Sequence, residues 1–166
     1  MAALALFAAC SAPPPPSEPV NIAYTEGPGP DSVQMFFDAY VKGDWNAMRN
    51  VYHDTAAVFH NASGRLTPDS IVSFHKARRE NYEKVTAVIN VPLDIDYKVG
   101  RLKGQHWRGA WATITLTIKG TGEEVPLPIQ MVWEIKGGKV VQEIAYYNSL
   151  GVFQALTKAQ QAKGKK

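Results

Sequence analysis

The pattern of apolar and polar positions predicts three helices at the start of a folded domain. Asp31 is a helix N-cap with a glutamine three residues later, and apolar side chains then recur along one helical face. Gly43 ends this helix, and a second helix begins at Asp44. A third begins at Thr67, which is followed by a proline and an acidic residue. The first part of the domain is therefore predicted to be mainly helical.

Strands dominate the rest of the pattern. Residues 56–60 are typical of a short strand between the second and third helices, and residues 85–99 alternate between apolar and polar positions. Three more strands are predicted: Trp107–Lys119, Glu124–Lys136 and Lys139–Asn148. Glycine-containing turns join them into antiparallel hairpins. Helices followed by long antiparallel strands indicate an α+β fold, with the sheet curled around the helices.

The first 30 residues are predicted to lie outside the domain. Residues 1–9 form a short apolar segment that ends before Cys10, and this resembles the lipobox of bacterial lipoproteins, in which the cysteine is lipidated. Residues 10–30 are rich in proline and predict an extended linker. We therefore expect an exported protein, periplasmic or in the outer membrane, that meets the membrane only through a lipid anchor. An ordinary signal peptide and a misassigned start are the alternatives.

Charge and composition exclude several classes of function. The chain of 166 residues has 18 basic and 15 acidic residues, and residues 159–166 form a basic tail behind a nearly neutral domain at residues 31–158. No basic stripe that would follow a phosphate backbone is apparent, so we expect no nucleic acid partner. The single cysteine and the spacing of the four histidines favour neither a metal site nor a cofactor.

Six short segments together carry a family resemblance: Phe36–Tyr40, Gly43–Trp45, Val58–Asn61, Val132–Ile135, Gly138–Glu143 and Tyr146–Gly151. Their order and spacing resemble the SnoaL-like branch of the nuclear-transport-factor-2-like superfamily. The resemblance implies a cone-shaped domain in which a curved antiparallel sheet wraps around the N-terminal helices and encloses a pocket. It also implies a homodimer, formed through the open face of the sheet. Members include polyketide cyclases, ketosteroid isomerases, epoxide hydrolases and dehydratases, alongside proteins without a known reaction.

Two amides stand where this family often has carboxylates. Asn61 follows His60 at the end of the first pocket strand, and Asn148 ends the last strand. An amide exchanges hydrogen bonds but takes up no proton at neutral pH. We therefore expect the domain to bind a small apolar ligand or a partner without catalysing a reaction.

His60 is the remaining candidate for a general base, although a histidine satisfied by neighbouring polar groups is the alternative. Strand alternation predicts that Ile144, Tyr146 and Asn148 share one face beside His60 and contact a ligand. The other predicted ligand contacts are Asn61, Phe59 and Trp111. The alternative function is a cofactor-independent lyase, isomerase or hydrolase, and a purely structural interaction module is a third hypothesis.

Overall fold

The computed structural model describes residues 22–24, 31–61 and 64–163. Its helices are α1 (Asp31–Lys42), α2 (Trp45–Asn50), α3 (Pro68–Arg79) and α4 (Leu150–Lys163). Its strands are β1 (Ile22–Tyr24), β2 (Tyr52–His60), β3 (Tyr82–Asp96), β4 (His106–Ile118), β5 (Glu124–Lys136) and β6 (Lys139–Tyr147). The predicted signal segment and Cys10 lie outside the described residues. Among these residues, no helix is long and apolar enough to cross a bilayer.

The strands form one curved sheet in the order β1-β3-β4-β5-β6-β2. Neighbouring strands are antiparallel except at β2 and β6, which run parallel. The predicted α+β class and the predicted hairpins between β4, β5 and β6 are confirmed. Parallel pairing brings His60, at the end of β2, level with Ala145 on β6. The sheet therefore places the candidate histidine next to the second half of the last strand.

The core lies between the concave face of the sheet and the helices. Alternate residues of β4 and β5 point inward, from Ala110 to Ile118 and from Val125 to Trp133. Helix α1 covers them with Phe36, whose ring centroid lies 5.3 Å from that of Trp133. Burying such side chains contributes about 25 cal/mol for each Å² of apolar surface, so this layer supplies most of the stabilisation.

Two predicted helices end earlier than their apolar periodicity suggested. Tyr52 and Tyr82 continue the helical spacing of the apolar residues before them, but they begin β2 and β3. Tyr52 pairs with Val140, and the preceding Val51 carbonyl accepts a hydrogen bond from the Val140 amide. Both tyrosines are buried in the sheet. An aromatic residue at helical spacing fits either element, and pairing with a neighbouring strand decided between them.

The ends of the domain also differ from the predicted boundaries. Strand β1 lies within the predicted linker and pairs with residues 94–96 at the edge of β3, where unpaired backbone groups were available. Helix α4 continues past residue 158 to Lys163, and Ala159 is buried against the domain. The first residues of the predicted basic tail therefore belong to a packed helix.

Candidate functional site

The candidate site is built around a buried pair formed by His60 and Glu143. His60 ends β2 and points into the domain with 6% of its surface exposed. Its Nε2 atom lies 2.6 Å from Oε1 of Glu143, which projects from β6 and is completely buried. A buried carboxylate is costly unless several donors satisfy it, so its other contacts decide whether the pair is stable.

The second carboxylate oxygen of Glu143 has two further donors. Its Oε2 atom accepts a hydrogen bond of 2.6 Å from Trp133 Nε1 and another from the hydroxyl of Tyr52. Burial by itself raises the pKa of Glu143, but the hydrogen bonds from His60, Tyr52 and Trp133 outweigh it and hold the pKa below its ordinary value. Glu143 is therefore an ionised acceptor at neutral pH, and its three donors come from β2 and β5.

Tyr147 completes a chain of contacts from the carboxylate towards a pocket. Its hydroxyl lies 3.2 Å from Nδ1 of His60. An ionised Glu143 can only accept, so Nε2 of His60 donates to it, and the Nδ1 atom of a neutral imidazole then accepts from the Tyr147 hydroxyl. Burial is the main cause that raises the pKa of Tyr147, which keeps the hydroxyl protonated. Tyr147, His60 and Glu143 thus form a continuous path for hydrogen bonds.

The hydroxyl-bearing Tyr147 lines a narrow pocket between the sheet and helices α1 and α3. The pocket is small: its cavity volume is about 30 Å³, within a depression whose empty space, open solvent included, is about 490 Å³. Its floor is formed by aliphatic side chains of β4 and β5, namely Ile114, Leu116, Leu127, Ile129 and Met131. His60 borders a second, neighbouring cleft, which Tyr147 also lines. The pocket is therefore mainly apolar, with polar atoms at a few points.

Two of those polar atoms have no hydrogen-bond partner in the part of the chain that the structure describes. Nε2 of His75 on α3 and the hydroxyl of Tyr82 on β3 are both buried and unpaired, and both residues line the pocket. The pKa of His75 is lowered to about 4, mainly by burial and also by nearby His60, against the opposing effect of Glu143. His75 is consequently neutral at physiological pH.

Four of the predicted ligand contacts do not face this pocket, and the alternation assigned to β6 was wrong. Glu143 and Tyr147 point inward, whereas Tyr146 is 52% exposed on the opposite face. The physical reason is a bulge: Gln142 pairs with Glu134 and Val140 with Ile135, so Val141 is an extra residue. An extra residue reverses which side chains face inward beyond it.

The outer face holds the remaining predicted contacts. Ile144 shares the face of Tyr146 and lies in register with Phe59, the outward neighbour of His60. Trp111 is 46% exposed and borders an open groove with Tyr146, since Gln130 pairs with both. These four side chains therefore lie on the opposite side of the sheet from the Glu143 carboxylate.

The two amides have backbone partners. Oδ1 of Asn61 accepts a hydrogen bond of 2.9 Å from the Tyr147 amide, and Oδ1 of Asn148 accepts one of 3.0 Å from the Leu150 amide at the start of α4. Both side chains are exposed. Both amides therefore satisfy the end of a strand or a helix, and their role as ligand contacts stays a prediction.

Glu143, Tyr147, Tyr82 and His75 were missed as site residues. A glutamate between apolar residues of a strand is usually solvent-facing, and only the inverted alternation after the bulge turns it inward. The sequence gives only a weak sign that Glu143 faces inward, because Ala145 is the only small apolar residue next to Glu143 on that face of β6. Within the described ranges, no group of three or more histidine, cysteine or acidic side chains could hold a metal ion.

Solved structures share this fold. A hypothetical protein with a ketosteroid isomerase-like fold from Catenulispora acidiphila DSM 44928, crystallised with trimethylamine, is 17% identical with a TM-score of 0.61, covering 76% of this chain and 92% of that one. IdmH from Streptomyces antibioticus, provisionally assigned as a polyketide cyclase, is 12% identical with a TM-score of 0.59, covering 76% and 96%. An LEH-like epoxide hydrolase of M. tuberculosis is 15% identical with a TM-score of 0.51, covering 79% and 90%.

At these identities the likeness shows the fold alone. Among curated proteins, none matches the chain significantly. The SnoaL-like domain family matches residues 33–143, which include most of α1, the strands from β2 to β5 and the first part of β6. This match spans well over half of the chain, and the chain therefore belongs to the SnoaL-like domain family.

Proposed function

We propose that the domain binds a small, mainly apolar molecule in the pocket that Tyr147 lines. The observation that carries this proposal is the pocket itself, with an aliphatic floor and unpaired polar atoms of Tyr82 and His75 in its wall. Ligand pockets typically combine apolar walls with a few polar groups that orient the ligand. A buried hydroxyl without a hydrogen-bond partner costs free energy. A ligand atom that accepts from it would remove this cost.

The hydrogen-bond partners of His60, the candidate general base, support binding without catalysis. Both ring nitrogens of His60 have partners within the protein, Glu143 and Tyr147. No carboxylate lines the pocket among the described residues, so a ligand would meet a hydroxyl and not an ionised base. These contacts favour a role in which His60 is held rigidly by its two hydrogen-bond partners and positions Tyr147.

The binding proposal is tested by thermal unfolding in the presence of steroid-like, polyketide-like and lipid-like compounds. A ligand that binds only the folded state raises the melting temperature. The effect should be reduced in Leu127→Phe, which fills the pocket floor, and retained in Val88→Phe, where the larger ring lies on the exposed outer face. No shift with any class of compound, at concentrations up to solubility, would count against the proposal.

A second candidate function is cofactor-independent acid–base catalysis, and the 3.2 Å contact of the Tyr147 hydroxyl with His60 favours it. Tyr147 could take a proton from the ligand or from water while its own hydroxyl proton passes to Nδ1 of His60, and Glu143 would stabilise the positive charge of the imidazolium. The proton would then return from His60 through Tyr147 to a ligand oxygen. Turnover of a ketone or epoxide should then disappear in Tyr147→Phe while binding persists. Equal turnover in both proteins would contradict this path.

We also propose export and anchoring through Cys10, on the basis of the lipobox-like segment before it. Two acyl chains on a cysteine would hold the domain on a membrane, and the proline-rich linker would separate it from the surface. Cys10→Ser should move the protein from the membrane fraction to the soluble fraction. Retention of the variant in the membrane fraction would contradict lipid anchoring.

The exposed outer face supports the proposal of a homodimer. Trp111 on β4 and Tyr146 on β6 lie on either side of Gln130 on β5, and exposed aromatic side chains are characteristic of protein interfaces. Sedimentation at micromolar concentration should show a dimer that the double variant Trp111→Ser and Tyr146→Ser dissociates. A wild-type monomer under these conditions would refute it.

A further inference from the structure

One cation lines the pocket, and it is held by aromatic rings. The Arg78 guanidinium lies 5.1 Å from the ring centroid of Phe74 on α3 and 5.5 Å from that of Phe153 on α4. Both rings are largely exposed, so the guanidinium is held near the surface end of the pocket. Among the described residues, no carboxylate forms a salt bridge with Arg78. The aromatic contacts restrict the orientation of its five N–H donors without satisfying them.

A buried hydroxyl in the same pocket also lacks a partner. Tyr82 is 1% exposed, its hydroxyl has no hydrogen-bond partner among the described residues, and it lines the pocket together with Arg78. The domain could have avoided this cost with a phenylalanine, because nothing in the core uses the hydroxyl. A ligand atom that accepts from this donor would explain it, and because the hydroxyl exposes less than 1 Å², the side chains around it must move apart to admit that atom.

The net charge of the pocket wall is positive. His75 is buried and neutral at physiological pH, and no acidic side chain lines the pocket within the described ranges. The guanidinium is therefore not neutralised locally. The planar arrangement of its donors matches the two oxygens of a carboxylate, which can also accept from a neighbouring hydroxyl. A phosphate dianion would require a second cation, which the wall does not provide.

We propose that the ligand is an apolar molecule with one carboxylate, which Arg78 and the Tyr82 hydroxyl bind while the apolar part contacts the aliphatic floor of the pocket. This inference rests on the proposed ligand-binding function and specifies the chemical class of the ligand. It makes Arg78 the residue that selects for charge, and Tyr82 the residue that adds a directed hydrogen bond.

Calorimetric titration with matched pairs of compounds tests the inference. The probes are 4-phenylbutyrate against 4-phenylbutanamide, and decanoate against 1-decanol, since each pair keeps the apolar skeleton and changes only the charge. The wild-type protein should bind each carboxylate at least about tenfold more tightly than its neutral partner, as expected for a charge-assisted hydrogen bond.

Three variants separate the roles of the residues. Arg78→Gln should abolish the preference for the carboxylate, whereas Arg78→Lys should keep part of it through its charge. Tyr82→Phe should weaken carboxylate binding several-fold without lowering stability, because the hydroxyl has no partner in the protein to lose. The matched control is Arg101→Gln, which removes an exposed arginine in the turn between β3 and β4 and should bind as the wild type does.

The outcomes distinguish this inference from the function on which it rests. Equal binding of acid and neutral partner by the wild type would overturn the carboxylate inference and leave the pocket as a binding site for apolar molecules. A folded Arg78→Gln variant that keeps the preference would overturn the role of Arg78. Tighter binding of decyl phosphate than of decanoate would overturn the carboxylate assignment. Failure of every probe to bind would count against the proposed function itself.

Discussion

Nε2 of His60 lies 2.6 Å from Oε1 of Glu143, and this contact joins two parallel neighbouring strands inside the core. The carboxylate also accepts hydrogen bonds from Tyr52 and Trp133, so its charge is fully surrounded by donors. The pair of His60 and Glu143 therefore has a structural role, because it fixes the orientation of the His60 ring. Tyr147 then connects it to the pocket.

Removing the charge of Glu143 should strongly destabilise the domain. In Glu143→Gln an NH₂ group, which can only donate, replaces one of the two accepting oxygens. At least one of the three donors that point at the carboxylate then faces another donor. Breaking a buried, hydrogen-bonded pair costs about 3 kcal/mol or more in the free energy of unfolding. Urea unfolding measures this loss.

The matched control for Glu143 is Glu124→Gln, at an exposed position on β5. An exposed substitution of this kind changes the free energy of unfolding by no more than about 0.5 kcal/mol. A small loss in both variants would show that the buried carboxylate contributes little to stability.

Stability should fall with acid because of His75. Its pKa is about 4 in the folded domain, against an ordinary value of 6.5. Between these pH values His75 therefore binds a proton in the unfolded chain but not in the native state. Stability from this residue is complete above pH 6.5 and is lost as the pH falls to about 4. At about 1.4 kcal/mol per pKa unit, the loss is about 3 kcal/mol.

The contribution of His75 is isolated by comparison with His75→Gln. This variant should be less stable at pH 7 but should show a flatter dependence between pH 6.5 and 4, whereas the exposed control His53→Gln should keep the wild-type slope. Chemical unfolding at several pH values gives the slopes. An unchanged slope in His75→Gln would contradict the assignment.

Restoring carboxylates at the two amide positions should have little effect. In Asn61→Asp and Asn148→Asp an oxygen remains available to accept from the Tyr147 and Leu150 amides. We expect stability within about 0.5 kcal/mol of the wild type. Ligand binding should also be unchanged, because both side chains are exposed. A gain of catalytic activity in either variant would show that the position does reach the pocket.

Alanine at the first of these positions tests the structural role directly. Asn61→Ala removes the acceptor for the Tyr147 amide, and it places a residue with a Cβ and no local hydrogen bond at a φ of 50°. A loss of about 1 to 2 kcal/mol in the free energy of unfolding is expected. Asn61→Gly, which tolerates this φ but lacks the acceptor, should lie between alanine and the wild type.

Gly109 should tolerate no side chain. A Cβ there would lie 2.2 Å from the Met131 carbonyl oxygen on the adjacent strand, so Gly109→Ala requires β4 and β5 to separate. We expect a loss of at least about 2 kcal/mol. The control is Gly151→Ala in the first turn of α4, where the nearest atom is 3.6 Å away in Val125 and alanine is the better helix former. Thermal unfolding of both variants measures the difference, and equal melting temperatures would contradict it.

The amino-acid pattern by itself determined the fold class and most of the strands. Predicted strand Glu124–Lys136 coincides with β5, and the glycines that follow it force the tight turn into β6, where both adopt positive φ. Alternating and helical periodicities are local properties, so the sequence carries them directly. For the same reason, the pattern correctly placed His60 at the end of a strand, with its side chain on the inner face.

Only the tertiary structure decided which side chains meet His60. The bulge at Val141 depends on how β6 pairs with β5, and it turns Glu143 and Tyr147 inward while it leaves Tyr146 outside. Parallel pairing with β2 then brings two residues together that are 83 positions apart in the chain. No local pattern encodes such a pairing, because a shift of one residue reverses the faces of a strand without altering its composition.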